Sequence, residues 1–178
     1  MFALLTDWTD QDVTGWLMSE KLDGWRVMWT GREFVTRGGK VLDAPKSWHR
    51  GMPKESLDGE LYGGKGSLYE VKRMMRGGWC GLTFRPFDAP SAPGCFADRL
   101  ARLQTLRLPS HCQLVAHALC DGIAALQAAA VSAYEAGGEG YVARDPSTPY
   151  AVGRTRTILR IVPYPLSLHR RPAIPARA

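Results

Sequence analysis

Lys21 is the residue in this sequence whose neighbours best suit covalent chemistry. It ends a predicted strand, two residues before Asp23 and five before Arg26, and Gly24 marks a tight bend between these two. An amine can act as a nucleophile when burial or nearby cations lower its pKa. The same spacing is also typical of an exposed salt bridge at the end of a strand. Taken alone, the segment leaves a reactive lysine and a surface ion pair both open.

Six further segments place charged or aromatic residues at predicted turns and strand ends. In chain order they are TRGG (36–39), LDGEL (57–61), FRPFD (84–88), GEGYV (138–142), GRT (153–155) and ILRIVP (158–163). Each pattern is weak alone, and their common order and spacing are the stronger signal. Together they resemble the ordered motifs of the covalent nucleotidyltransferases, which comprise ATP-dependent DNA ligases, RNA ligases and mRNA capping enzymes. The resemblance runs from about Trp16 to Pro163.

Within that group the motifs are most similar to those of the small bacterial and phage ATP-dependent DNA ligases. The segments concerned are SEKLDGWRVMWTG (19–31), TRGGK (36–40), APKSW (44–48) and LDGELYGG (57–64). Glu139-Gly140 favours the same family, because capping enzymes more often carry Asp-Gly there. An RNA ligase or a capping-like enzyme is one alternative. A degenerate domain that binds nucleotide or nicked DNA without catalysis is the other.

The resemblance implies three phosphoryl transfers. Lys21 would attack the α-phosphorus of ATP, release pyrophosphate and hold AMP as a phosphoramidate. The AMP would pass to the 5′-phosphate at a nick in duplex DNA, and the 3′-hydroxyl would displace it and seal the strand. Such chemistry depends mainly on positioning and charge stabilisation, which suits a site of one amine, several carboxylates and several cations.

The resemblance also implies a role for each motif residue. The implied ATP-binding residues are Glu20, Lys21, Arg26, Glu60, Phe87, Glu139 and Arg160. Glu60 would hold a ribose hydroxyl, Phe87 would stack on adenine, and Arg26 would contact the ribose or phosphate side of the nucleotide. Glu60 and Glu139 would bind Mg²⁺ or Mn²⁺, because such an ion takes few carboxylates together with phosphate oxygens and waters. Orienting Lys21 is the alternative role for Glu139.

Some of these residues also have a plainer structural interpretation. Arg37 would contact the phosphate backbone at the nick, or it is a solvated arginine of a hairpin. Phe87, taken alone, fits a core residue at the end of a strand better than a stacking platform. Asp23 and Asp58 are expected to shape turns. Arg154 is a further candidate for a cation that lines the site.

The sequence departs from the family pattern at the last motif. The family usually carries two lysines there, one residue apart, and this chain has Arg160 and Val162. Arginine keeps the charge but changes its geometry, whereas valine keeps neither, and Arg156 is a nearby candidate to compensate. The family's C-terminal OB-fold is not expected, because only residues 164–178 follow this motif. The expected partners are nicked double-stranded DNA and a separate OB-fold or clamp protein.

Composition and charge are those of a globular protein with a phosphate-bearing partner. Of 178 residues 45% are hydrophobic, and 23 Lys and Arg against 17 Asp and Glu give a net charge of +6, which favours nucleic acid. The four cysteines lack metal-ligand spacing, which argues against a zinc site. The sequence contains no apolar run of about 18 residues and no signal peptide. A cytoplasmic monomer without membrane contact is therefore expected.

The elements that must position these residues have an α+β pattern. Predicted strands are 16–20, 25–29, 33–37, 56–62, 82–87, 112–119, 141–144 and 157–162, and predicted helices are 67–76, 96–106 and 123–136. We expect antiparallel sheets flanked by helices, in the ATP-grasp-like adenylation domain that the resemblance implies. That domain would cover residues 1–163, and a basic, proline-rich, disordered tail would cover 164–178.

Overall fold

The computed structural model describes residues 1–64 and 68–163. Its strands are β1 (Ala3–Asp7), β2 (Leu17–Glu20), β3 (Trp25–Trp29), β4 (Phe34–Thr36), β5 (Leu57–Tyr62), β6 (Thr83–Asp88), β7 (Ala118–Leu119), β8 (Tyr141–Arg144) and β9 (Gly153–Ile161). Its helices are α1 (Lys46–His49), α2 (Leu68–Arg76), α3 (Phe96–Thr105) and α4 (Ile123–Glu135). The predicted tail at 164–178 lies outside the described residues.

The described strands form two sheets. The first has the strand order β1-β9-β8-β2-β7 and the second the order β4-β3-β5-β6. Every pair of neighbouring strands is antiparallel except β1 and β9, which run parallel. This pair is the exception to the antiparallel sheets that the sequence predicts. β1 is missing from the predicted strands, and it pairs with β9, the last strand of the described residues.

Each sheet packs one face against helices. The second sheet packs against α1, α2 and α3 through an aromatic core, in which the ring centroids of Phe34 and Phe84 lie 5.2 Å apart and those of Trp48 and Trp79 lie 4.7 Å apart. The first sheet packs against α4, where Leu126 is fully buried. These large apolar side chains leave water on folding, which makes each sheet a firm support for its other face.

Side-chain alternation gives the other face of each sheet its polar residues. On β3, Val27 and Trp29 belong to the core, whereas Arg26 lines a cavity between the sheets. On β8, Ala143 belongs to the core, whereas Arg144 lines the same cavity. Because successive strand residues point to opposite faces, one strand can serve both the core and the site.

The predicted buried strand at 112–119 is wrong over most of its length. Only β7 is a strand there, and both of its residues are exposed. The residues before β7 run beside β6, where the N–H of Gln113 donates to the carbonyl of Phe84 and the N–H of Val115 to that of Pro86. Pro86 has no N–H with which to return a bond, so a regular ladder cannot continue along this edge.

Residues 21–24 carry the chain from β2 in the first sheet to β3 in the second. Gly24 makes this crossing in close contact with β5. A Cβ atom at this position would lie 2.2 Å from the carbonyl oxygen of Leu61 and 2.7 Å from Cγ of Glu60. Only glycine allows so close an approach, and the contact holds the crossing loop against the strand that carries Glu60.

We expect the Gly24→Ala variant to lose about 1–3 kcal/mol of unfolding free energy, because the added methyl group forces two backbone segments apart. Urea denaturation measures the loss. Gly38→Ala is the matched control, since the nearest atom to a Cβ there is 4.0 Å away. Equal stabilities of the two variants would contradict the close-approach explanation.

Candidate active site

A cavity of about 350 Å³ lies between the two sheets, and it collects the residues that the motifs single out. The predicted site residues that line it are Glu20, Lys21, Arg26, Arg37, Glu60, Phe87 and Arg160. Glu139, the remaining predicted residue, contacts Lys21 directly. The structure therefore brings the predicted site residues together, although they are spread over 141 positions of the chain from Glu20 to Arg160.

The ion pair between Lys21 and Glu139 follows from the pairing of β2 with β8. These strands are antiparallel, with Glu20 opposite Tyr141, and the N–H of Lys21 extends the ladder by donating to the carbonyl of Gly140 at 2.8 Å. The two loops therefore emerge side by side. The Lys21 ammonium reaches the Glu139 carboxylate, and both side chains remain partly exposed, at 21% and 29%.

Gly140 allows β8 to lie next to β9 at this point. Its φ of +133° is in the region that favours glycine, and a Cβ atom would lie 2.3 Å from the carbonyl oxygen of Ile161. A side chain at 140 would push β8 away from β9. The Glu-Gly motif therefore needs glycine at position 140 for a structural reason, because this glycine keeps Glu139 beside Lys21.

Glu60 is a carboxyl group that burial keeps largely neutral. It lies on β5, opposite Arg26 of β3. Burial is the largest influence and raises its pKa from 4.5 to about 8, against the opposing effect of the nearby Arg26 and Lys21 charges, while Asp58 and Glu139 raise it further. A cation that entered the cavity would favour its ionised form.

Asp58 has a different place from the one predicted. It was expected at a turn but lies inside β5, fully buried, where it accepts two hydrogen bonds from Arg26. The distances are 3.0 Å from Nε and 2.7 Å from Nη2. These bonds use two of the five N–H groups of the guanidinium. Arg26 therefore lines the cavity with a fixed orientation and with donors left for a ligand.

Arg144 lines the cavity, and it is the main site residue that the motifs did not predict. It is buried on β8, donates to the hydroxyl of Ser19 at 3.0 Å, and has no ion pair among the residues that the structure describes. Burial lowers its pKa to about 10. The alternation of β8 after the Glu-Gly motif is the signal that could have found it, since Val142 and Arg144 share one face.

The position of Phe87 is compatible with both interpretations given for it. It is 8% exposed, as a core residue would be, and it also lines the cavity. The guanidinium carbon of Arg144 lies 4.7 Å from its ring centroid and that of Arg26 lies 5.2 Å away. Phe87 is therefore an aromatic surface between two cations, a suitable environment for a base with an attached phosphate chain.

Arg160 forms an ion pair with Asp7, its parallel partner on β1. The motifs predicted no role for Asp7, because its ion pair with Arg160 depends on strand β1, which was not predicted. Arg154 lines the cavity and donates to the carbonyl of Leu5 at 3.3 Å. Arg154 and Arg156 are both exposed, but Arg156, the suggested replacement for a family lysine, does not line the cavity. Arg154 is therefore better placed than Arg156 to add positive charge to the cavity.

The carboxylates of the site fit a metal ion that arrives with a nucleotide better than a preformed metal centre. Among residues 1–64 and 68–163, no group of three or more His, Cys, Asp or Glu could hold a metal. Glu139 is close enough to Glu60 for its charge to raise the pKa of Glu60. Mg²⁺ is commonly held by one or two carboxylates plus phosphate oxygens and water, and these two residues match that donor set.

Comparison with known proteins identifies the fold. No protein-family model matches the chain. A curated DNA ligase of Haemophilus influenzae is 31% identical over 165 residues, which cover 89% of this chain and 62% of the relative. A solved Lig E DNA ligase superposes with a TM-score of 0.83 at 26% identity over 90% of this chain and 68% of that one. The chain therefore has the fold of a DNA ligase adenylation domain.

A third comparison agrees with this result. The structure of Chlorella virus DNA ligase-adenylate has a TM-score of 0.75 at 16% identity, and the match covers 90% of this chain and 66% of the viral enzyme. The DNA ligase resemblance and the fold class predicted from the motifs are both confirmed. The chain spans about 62% of the length of its curated relative. In the described part of this ligase-type domain, no helix is long and apolar enough to cross a membrane.

The contribution of Glu60 to the stability of the domain should fall as pH rises from about 5 to 8, and Glu60→Gln should remove that contribution. The folded protein keeps a proton on Glu60 up to a pKa of about 8, whereas the unfolded chain loses it near 4.5. The contribution of Glu60 to the unfolding free energy therefore decreases between these values, by at most about 1.4 kcal/mol per pH unit. Urea denaturation at several pH values measures the slope. The exposed Glu33→Gln variant should keep the wild-type slope, and an unchanged slope in Glu60→Gln would refute the assignment.

Proposed function

We propose that this domain belongs to an ATP-dependent DNA ligase that seals nicks in duplex DNA through a covalent lysyl-AMP intermediate. The observation that carries the proposal is the Lys21–Glu139 ion pair beside a cavity with many arginines. An amine nucleophile in reach of a carboxylate, and surrounded by cations, is suited to attack on a polyphosphate. We further propose that the sealed nicks arise in replication, repair or recombination.

In the first step the Nζ atom of Lys21 bonds to the α-phosphorus of ATP. The bond from that phosphorus to the bridging oxygen of the β-phosphate breaks, and pyrophosphate leaves. Glu139 orients Nζ and accepts the proton that the amine must lose. Arg160 and Arg154 stabilise the negative charge on the phosphates, and Arg26 holds the nucleotide from the second sheet.

In the second step a 5′-phosphate oxygen of the nick attacks the lysyl-AMP phosphorus, and Lys21 leaves as the amine. In the third step the 3′-hydroxyl attacks the 5′-phosphorus, and AMP leaves as the strand is sealed. Phe87 supports the adenine during these steps, and Glu60 accepts a hydrogen bond from a ribose hydroxyl. Mg²⁺ or Mn²⁺, held by Glu60 and Glu139, would supply neutralising charge to the phosphates.

A nucleotide- or nick-binding domain without catalysis is the second candidate function. Two observations favour it. Val162 occupies the position of a family lysine, and Arg160 is engaged by Asp7 rather than turned wholly to the cavity. An RNA ligase or a capping-like enzyme would keep the same first step, so the nucleotide and strand preferences separate these classes from a DNA ligase.

Incubation with α-labelled ATP and Mg²⁺, followed by a denaturing gel and peptide mapping, tests the first step. We expect a label on Lys21 and none in Lys21→Ala, because among residues 1–64 and 68–163 no other lysine forms an ion pair with Glu139. Lys46→Ala, at an exposed position at the start of α1, is the control and should label normally. A full label in Lys21→Ala would exclude Lys21 as the nucleophile.

Two further arms of the assay separate the candidate functions. GTP in place of ATP tests for a capping-like preference, and nicks with RNA strands test for an RNA ligase. If wild-type protein takes no label but seals a pre-adenylylated nick, the domain needs a partner such as an OB-fold or clamp protein for the first step. Failure to seal that nick would favour the binding-only candidate.

Nick binding by this domain should be weak and strongly dependent on salt, because a few arginines make most of the phosphate contacts. Arg37→Ala should weaken binding and reduce the slope of log K against log salt by about 1. Arg107→Ala is the control, at an exposed position beyond α3 on the opposite side of the second sheet. A nanomolar complex that is insensitive to salt would contradict this description.

A further inference from the structure

One buried carboxylate joins the two sheets at the cavity. Asp58 of β5 is fully buried. It accepts two hydrogen bonds from Arg26 of β3, in the same sheet, and a third from Tyr150, which lies between β8 and β9 of the other sheet. The Tyr150 hydroxyl oxygen is 2.6 Å from Oδ2 of Asp58. Tyr150 belongs to none of the motif segments.

The hydroxyl group of Tyr150 has one proton, and the geometry decides where it goes. Its oxygen lies 2.6 Å from the Asp58 carboxylate and 3.4 Å from the carbonyl of Met1. A charged acceptor at the shorter distance makes the stronger bond. The N–H of Ala3 donates to the same hydroxyl oxygen at 3.1 Å, so the hydroxyl both donates and accepts. Burial and Asp58 raise the pKa of Tyr150, which keeps the donor protonated.

Arg26 is the member of this cluster that faces the cavity. Its guanidinium carbon lies 5.4 Å from the ring centroid of Phe2 and 5.2 Å from that of Phe87. These rings pack against the guanidinium, and only Asp58 offers it a paired hydrogen-bond acceptor among the described contacts. The direction of the Asp58 carboxylate therefore determines which N–H groups of Arg26 face the cavity.

We propose that Tyr150 is a positioning residue for the nucleotide site, acting through Asp58 on Arg26. The hydroxyl holds Oδ2 of Asp58 in one rotamer, and that rotamer holds the donor edge of Arg26 toward the ligand. The inference rests on the proposed function, because it takes Arg26 as a nucleotide contact. Tyr150 does not line the cavity, so we expect it to affect nucleotide affinity and not the rate of phosphoryl transfer.

The Tyr150→Phe variant tests this directly, because it removes one oxygen atom and keeps the ring. We expect the dissociation constant for α,β-methylene-ATP, measured by calorimetry, to rise about five- to tenfold, the effect of one hydrogen bond. The KM for ATP in Lys21 labelling should rise equally, with kcat unchanged within about twofold. Tyr69→Phe, at a position that is 65% exposed, is the control and should match wild type.

The double variant with Arg26→Gln separates positioning from general structural support. If Tyr150 acts through Arg26, Tyr150→Phe should not weaken nucleotide binding further once Arg26 is replaced. An equal loss of affinity in both backgrounds would overturn the proposal, as would an unchanged dissociation constant in the single variant. Melting temperatures recorded alongside show any loss of stability independently of the affinity.

A second substitution covers the case in which Tyr150→Phe does not fold. Asp58→Asn keeps the volume but removes the paired acceptor of Arg26, and it should raise KM with little change in kcat. Unchanged nucleotide affinity in this variant would overturn the proposal.

The experiments distinguish failure of the proposed function from failure of this inference. A wild-type protein that binds no nucleotide overturns the proposed function and the inference together. A wild type that labels normally, with variants that bind equally well, overturns the inference alone.

Discussion

The site depends on a four-residue crossing between two sheets. Residues 21–24 connect β2 of one sheet to β3 of the other, so the sheets must converge where Lys21 lies. Gly24 allows the crossing to press against β5, and the β2–β8 pairing brings Glu139 to Lys21. Because the two larger cores lie on the far faces of the sheets, the converging faces can carry polar side chains beside the small apolar cluster of Phe2, Met28 and Val35. The cavity is a consequence of this connection.

The electrostatic character of the cavity follows from how its charges are paired. Arg26 and Arg160 each have an aspartate, whereas Arg144 has no ion pair in the described structure and is buried. Burial disfavours the charged forms of two residues of the cavity, because it lowers the pKa of Arg144 and raises that of Glu60. A bound polyanion would favour the charged form of Arg144, and a metal ion would favour the charged form of Glu60. This charge balance supports the proposed metal-bound nucleotide over a neutral ligand.

Much of the fold could be predicted from periodicity. The strand predicted at 25–29 coincides with β3, and the helix predicted at 123–136 closely matches α4. The short elements were less predictable. No turn-forming residues mark where β1 begins, and α1 is only four residues long. At 112–119 an apolar run was misleading, because Pro86 on the neighbouring strand cannot complete a ladder. The residue pattern within a segment indicates the conformation of that segment, but not whether the neighbouring strand has the donors and acceptors to pair with it.

The sequence by itself determined the chemical inventory of the site. It specified a lysine before a glycine turn, carboxylates in two further motifs and arginines along the last strand, in an order that indicates one family. Tertiary structure decided the partners: Asp7 for Arg160, Asp58 for Arg26, and Tyr150 for Asp58. These contacts join residues from 32 to 153 positions apart. Local periodicity contains no information over such separations, because strand register and sheet convergence exist only after the chain has folded.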